Sequence, residues 1–253
     1  MRFPGRLSLG VGLLWVCLSM VAVPSASASA TACSSVLRRA VVGGPTSDAA
    51  WRVGIDAPTA VFSPVPGKRI RITRWVTPND AAWLLVTARP RVADSRCWLQ
   101  VRLPWRPNGS AGWINADKVL LARTPWRIAV STTRHTLTLF RNGKVVRTVS
   151  VVVGKPSTPT PDGLFAVWWA IPWHPDDFLG SWVLDLTAHS DVLRQFDGGD
   201  GTVAIHGRGG ASLADPLGTA LSHGCIRLSN DAIDWLVHTI GPSRLPGTPV
   251  QIS

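Results

Sequence analysis

Three residues in the stretch Val203–Leu228 have side chains that do chemistry at close quarters: His206, His223 and Cys225. A thiol attacks only as the thiolate, and an ordinary cysteine is barely ionised at neutral pH, so a nearby imidazole is the usual remedy. His206 closes the apolar run Val203-Ala204-Ile205. That run reads as a buried strand, which would hold a base rigidly enough to take the proton of Cys225. His223 stands two residues before the thiol, and in extended chain such residues share a face. Gly224 lets a carbonyl approach the backbone closely, which makes the amides of Gly224 and Cys225 candidate oxyanion donors. Arg227, two residues beyond the thiol, carries the planar fork that suits a substrate carboxylate.

Taken singly these residues say less. A buried Cys is most often an inert small hydrophobe, and a lone His most often a core or surface residue with a satisfied hydrogen bond. His206, His223 and Cys225 are also good zinc ligands. No fourth ligand is evident and short Cys-x-x-Cys pairs are missing, so no metal is assigned.

The order His206, fifteen intervening residues, Ser222-His223-Gly224-Cys225, an apolar residue and Arg227 resembles the signature of the L,D-transpeptidases, the YkuD-type catalytic domains of bacterial cell walls. The resemblance implies Cys225 as nucleophile, His206 as its base, and the carbonyl of Gly207 as the group that orients the imidazole. It places Ser222 and His223 beside the nucleophile, with His223 lining the site and Ser222 on the substrate side. Arg208 stands where many relatives carry a small residue and is kept as a substrate-side candidate. The chain has no tyrosine, so any relative's oxyanion Tyr is replaced here by something else.

The implied reaction is acyl transfer on peptidoglycan stem peptides. Cys225 cleaves the bond between a diamino acid and the terminal D-alanine, and a second stem's amine takes the acyl group, with no cofactor. Carbapenems acylate members of this family. Water as acceptor would make the enzyme an L,D-carboxypeptidase. Two further readings are a sortase-like transpeptidase acting on proteins and a wall-binding protein with an inert catalytic half.

The chain has 253 residues, 45% of them apolar, and a net charge of +11. That is enough for one large or two modest domains. The basic charge suits an anionic wall polymer, while the arginines are scattered singly and no nucleic-acid-binding motif is present. Residues 1–32 read as a signal peptide: Arg2 and Arg6, an apolar core from Gly10 to Val23, Pro24, then alternating small residues. That core is too short to span a bilayer comfortably, and no later segment is apolar for longer, so no transmembrane span is expected in the mature chain. The reading is a secreted, extracytoplasmic protein. With Cys225 kept free, parity leaves Cys33 and Cys97 to form a disulfide. A lipidated Cys33 competes, although Ala30 stands where a Leu is typical.

The expected architecture is mainly β. Residues 33–50, broken by Gly43-Gly44-Pro45, read as a tether. Residues 51–121 show short strands between turns, and Cys97–Arg102 followed by Gly112-Trp113-Ile114 resembles the paired strands of a bacterial SH3-like β-barrel that contacts the wall. Trp98 and Trp113 there are either core or a ligand platform. Residues 126–253 form the β-rich catalytic domain with one or two helices. Asn142-Gly143 turns a hairpin. Residues 170–190 read as irregular; the family resemblance implies a lid over the cleft here, in which Trp169, Trp173 and Trp182 stack on substrate, the alternative being that they simply pack the sheet. Ser229 or Asn230 caps a helix whose apolar face is Ile233, Leu236, Val237 and Ile240.

Overall fold

The computed structural model describes residues 43–62, 69–71, 82–93, 96–196 and 198–253. The expected signal segment, Cys33 and most of the tether lie outside the described residues.

The N-terminal half supplies β1 (Ala50–Ile55), β2 (Ala60–Phe62), β3 (Arg69–Arg71) and β4 (Ala82–Leu85). It continues with β5 (Arg91–Ala93), β6 (Arg96–Arg102), β7 (Ala111–Asn115) and β8 (Leu120–Thr124). They form two sheets, ordered β4-β1-β8 and β3-β2-β7-β6-β5. The alternation in β6 shows why: Cys97, Leu99 and Val101 are buried, while Trp98, Gln100 and Arg102 are half-exposed between them. Leu99 and Val101 join Val53, Ile55, Val61 and Ile114 in one core. Trp113 is 7% exposed, which favours its reading as core; the half-buried Trp98 meets Phe62 edge-on at 5.0 Å.

The C-terminal half begins with β9 (Trp126–Ser131), β10 (Thr136–Arg141), β11 (Lys144–Ser150) and β12 (Val153–Gly154). Then come β13 (Gly163–Pro172), β14 (Trp182–His189), β15 (Thr202–His206), β16 (Ala220–Ser222) and β17 (Ile226–Arg227). The helix α1 (Asn230–Ile240) and β18 (Pro249–Ile252) complete it. One eight-stranded sheet runs β11-β10-β9-β18-β13-β14-β15-β17, and β12 pairs with β16 beside it. Asn142 and Gly143 turn the β10–β11 hairpin with φ of 49° and 75°, the left-handed pair that matches strand twist.

Ser229 Oγ accepts from the Ala232 N–H at 3.2 Å and caps α1. The helix buries Ala232, Ile233, Leu236, Val237 and Ile240 against the sheet, each of the larger side chains contributing roughly 1.5–3 kcal/mol. Among the described residues this is the one α-helix, accompanied by short 3₁₀ turns.

The expectation of an irregular stretch at 170–190 is corrected. β13 continues to Pro172 and β14 occupies 182–189 in the interior of the sheet, which leaves 173–181 as the loop. The strand escaped notice because it is covered on both faces: six of its eight residues are buried, so period-2 alternation is lost.

The two halves are packed together. Ala50 and Leu85 meet Ala166 in a small apolar cluster, and Arg52 Nη1 donates to the carbonyls of Arg244 and Pro246 at 3.0 and 2.9 Å.

Candidate active site

Ile205 and Ile226 are partners on the parallel pair β15–β17, and both are fully buried in the core. Alternation along extended chain therefore sends Ala204, His206, Cys225 and Arg227 to the opposite face. A cleft of about 660 Å³ opens there, lined by His206, His223, Cys225, Arg227 and Asp185, with Phe178 and Phe196 among its walls. Cys225 is half-buried and is the one free cysteine among the described residues. Cys97, which sequence reasoning paired with Cys33, is buried in β6 and engaged.

His206 is 1% exposed. Its Nδ1 donates to the Gly207 carbonyl at 2.7 Å, which leaves the lone pair of the neutral ring on Nε2. Burial drives the His206 pKa down to about 4, helped by Arg227 and opposed by the carbonyls of Gly207 and Leu179. Burial also pushes the Cys225 thiol up, against a backbone hydrogen bond from Ala204 and the charge of Arg227; the Asp185 carboxylate adds to the rise. At neutral pH the resting pair is thus thiol and imidazole, and the thiolate forms only as its proton moves to the base.

The backbone past His206 is fixed by a residue that sequence reasoning saw only as a helix cap. Asn230 Oδ1 accepts from the N–H groups of Arg208 and Ser181 at 3.0 and 3.2 Å, and its Nδ2 donates to the Pro175 carbonyl at 3.0 Å. A Cβ on Gly207 would run into that Oδ1, so glycine here leaves the Asn230 side chain in place.

The nucleophile's turn is built from within. Ser222 is fully buried; its Oγ donates to the Cys225 carbonyl at 2.6 Å and accepts from the Gly224 N–H at 3.1 Å. Gly224 has φ +123°, a left-handed-region value that glycine tolerates best. Two residues of the Pro-rich loop before β13 complete the brace: Thr158 Oγ1 donates to the Ser222 carbonyl at 3.3 Å and Thr160 Oγ1 to that of Gly224 at 2.8 Å.

Several expectations are corrected by this geometry. Ser222 is too deeply buried to touch substrate and acts on the turn instead. The Gly224 amide is committed to Ser222 and is not a free oxyanion donor. Arg208 donates through Nη1 to the Asp215 carbonyl, and it is not part of the cleft wall. Of the tryptophans assigned to a lid, Trp173 borders the cleft and is 45% exposed. Trp169 stacks on Trp168 at 6.3 Å, and Trp182 packs on the main core, edge-on to His238 at 6.3 Å; neither borders it.

Arg227 lines the cleft, but its Nη1 is held by Asp215 Oδ2 at 2.5 Å and its guanidinium lies 4.7 Å from the Phe178 ring centre. His223 is exposed at the rim, stacked on Phe196 at 5.2 Å and hydrogen-bonded to Lys155 Nζ at 3.3 Å. Its pKa is lowered by desolvation first and then by the Lys155 charge. Sequence reasoning missed Asp185, whose one signal was a single acid in the apolar run Val183-Leu184-Asp185-Leu186.

Comparison with known proteins gives concordant matches. Residues 125–252 match the family described as the YkuD L,D-transpeptidase catalytic domain. The chain is similar to a Bacillus licheniformis protein named as a candidate L,D-transpeptidase YkuD, 32% identical over 165 residues that span 62% of this chain and 90% of that one. It is 31% identical over 135 residues to L,D-transpeptidase 1 of Mycobacterium tuberculosis, covering 48% of each chain. Among solved structures, the catalytic domain of an Enterococcus faecium L,D-transpeptidase aligns at a TM-score of 0.35 and 24% identity, covering 51% of this chain and 96% of that one.

Proposed function

The chain belongs to the YkuD-type L,D-transpeptidase family, and from that premise we propose that it is an exported peptidoglycan L,D-transpeptidase working through a thioester on Cys225. The observation that carries this reading is the placement of Cys225 and His206 on one face of a cleft, with the imidazole's Nδ1 tied to Gly207.

In the proposed reaction Cys225 Sγ attacks the carbonyl of the bond joining a diamino acid to the terminal D-alanine, and the thiol proton passes to His206 Nε2. The oxyanion is met by the Cys225 N–H, since the Gly224 N–H is spent on Ser222. The intermediate collapses, D-alanine leaves with the proton from His206, and a thioester remains. An amine of a second stem attacks it, returns a proton through His206 to the sulfur, and leaves as the new amide. His223 stands at the rim on the substrate side. Water in place of the amine gives the L,D-carboxypeptidase reaction.

The proposal extends to the rest of the chain. Residues 1–32 direct export, Cys33 closes a disulfide with Cys97, and the N-terminal half is an SH3-like wall-associated unit. Incubation with tetrapeptide muropeptides, with products weighed by mass spectrometry, tests the reaction. Loss of D-alanine together with cross-linked dimers supports transpeptidation, and loss of D-alanine alone supports the water reaction. Cys225→Ala must abolish both, along with the mass adduct formed by a carbapenem; turnover by that variant would end the thioester reading.

A further inference from the structure

Asp185 sits in the middle of β14, the one acid in a strand otherwise given to the core, yet it opens into the cleft. Its register partner on β15 is Ala204, whose backbone favours the Cys225 thiolate. Asp185 thus stands two strand steps from the nucleophile, about 10 Å between backbones. Among the described residues its carboxylate has no hydrogen-bond or ion-pair partner. The nearest guanidinium in the cleft, Arg227, is already committed to Asp215. Desolvation raises its pKa to about 6, with Asp200 adding to the rise. Of the other titratable groups that share the cleft with Cys225, Asp177 lies on the Trp173–Leu179 side, the pKa values of His206 and His223 are lowered, and Arg227 is paired. A half-buried carboxylate without a partner, on a wall that desolvates it, is costly to keep ionised.

We propose that Asp185 is the amine-recognition group of this cleft, receiving the ammonium of the donor stem's diamino acid while the neighbouring carbonyl faces Cys225. This rests on the peptidoglycan reading above and deepens it. An ammonium on a flexible chain of several carbons spans the gap between the two strands and completes the ion pair that the fold leaves open. It has a second effect. The Asp185 charge helps to hold the Cys225 thiol up, so an ammonium placed on it lowers the cost of forming the thiolate at the moment the donor is seated. Asp185 is then a specificity residue that also couples donor binding to activation of the nucleophile.

The test uses the full chain and two tetrapeptide donors, one with the diamino acid's side-chain amine free and one with it acetylated, reading D-alanine release. For the wild type kcat/KM favours the free amine by twentyfold or more. In Asp185→Asn that ratio falls to within threefold of one, and Asp185→Glu restores part of it. Wild-type protein that releases D-alanine equally from both donors, or an Asp185→Asn ratio equal to wild type, overturns the role of Asp185 and leaves the transpeptidase reading intact. Wild-type protein that releases D-alanine from neither donor sinks the reading itself and this inference with it. Alkylation of Cys225 by iodoacetamide across pH is the independent readout. The midpoint moves down in Asp185→Asn without any donor present, and an unmoved midpoint overturns the coupling.

Discussion

Asn108 and His189 are joined by a reciprocal pair of hydrogen bonds: Asn108 Nδ2 donates to the His189 carbonyl at 2.7 Å, and its Oδ1 accepts from the His189 N–H at 2.8 Å. One residue belongs to the N-terminal half and the other ends β14, so a loop of the first half holds the segment that walls the cleft. Arg106 strengthens the grip, donating to the carbonyls of Ser190, Leu193 and Asp200 at 2.8, 3.0 and 2.9 Å. Ser190, Leu193 and Phe196 from that segment face the cleft.

Arg106→Ala removes one charged donor from three carbonyls, at an expected cost of about 1.5–3 kcal/mol in stability. Because the wall it holds carries Phe196 against His223, donor KM is expected to rise severalfold while kcat changes less. Arg106→Lys recovers little, since a point charge cannot reproduce the fork. Steady-state kinetics beside a thermal melt decide it: a lowered melting temperature with unchanged KM would mean that the contact is structural only.

Ser222→Ala leaves the Gly224 N–H and the Cys225 carbonyl without the hydroxyl that serves both, inside a fully buried turn. Stability should drop by about 1–3 kcal/mol, and kcat should fall at least tenfold because the nucleophile loses its fixed backbone. A residue that merely touched substrate would raise KM and leave the melting temperature alone, so measuring both separates the two roles.

The helix α1, the Asn142-Gly143 hairpin and the Ser222–Cys225 motif were legible in the sequence because each is written in a few neighbouring residues, although the motif read as extended chain and forms a turn. What was not legible depends on partners far away in the chain. β14 was hidden by burial on both faces. The roles of Ser222 and Gly224 were misread because a motif gives residue types without saying which atoms are already hydrogen-bonded. Thr158 and Thr160 reach the turn from the Pro-rich loop before β13, and nothing local to either marks that contact. Trp169 and Trp182 were placed in a lid by the family resemblance, with packing on the sheet as the alternative, and strand pairing in β13 and β14 gives them the packing role.

The low pKa of His206 fixes the acid limb of the rate. The base works as neutral imidazole, so activity is lost as pH falls through its folded pKa of about 4, whereas an unperturbed histidine would lose it near 6.5. With donor saturating, kcat is expected to stay level from pH 8 to about 5 and to decline below that. kcat/KM for a free-amine donor should bend earlier, near 6, where Asp185 takes up its proton. A kcat limb near 6.5 would contradict the dry environment assigned to the imidazole.

The last expectation concerns the stability cost of keeping Asp185. Its folded pKa of about 6 lies above the unfolded value of 3.8, so the native state binds the proton more tightly and the ionised carboxylate opposes folding. The penalty is fully present above pH 6 and fades as pH falls towards 3.8; a shift of this size corresponds to something on the order of 3 kcal/mol. Asp185→Asn therefore melts higher than wild type at pH 7.5, by several degrees, and the gain shrinks to nothing by about pH 4. A side chain kept for packing would not behave this way, since the amide is its near-isostere and the difference would be small at every pH. Melting curves of both proteins across that range separate a charge held at a cost for substrate from a residue that only fills space; a variant less stable at pH 7.5 would exclude the desolvated carboxylate on which the amine site depends.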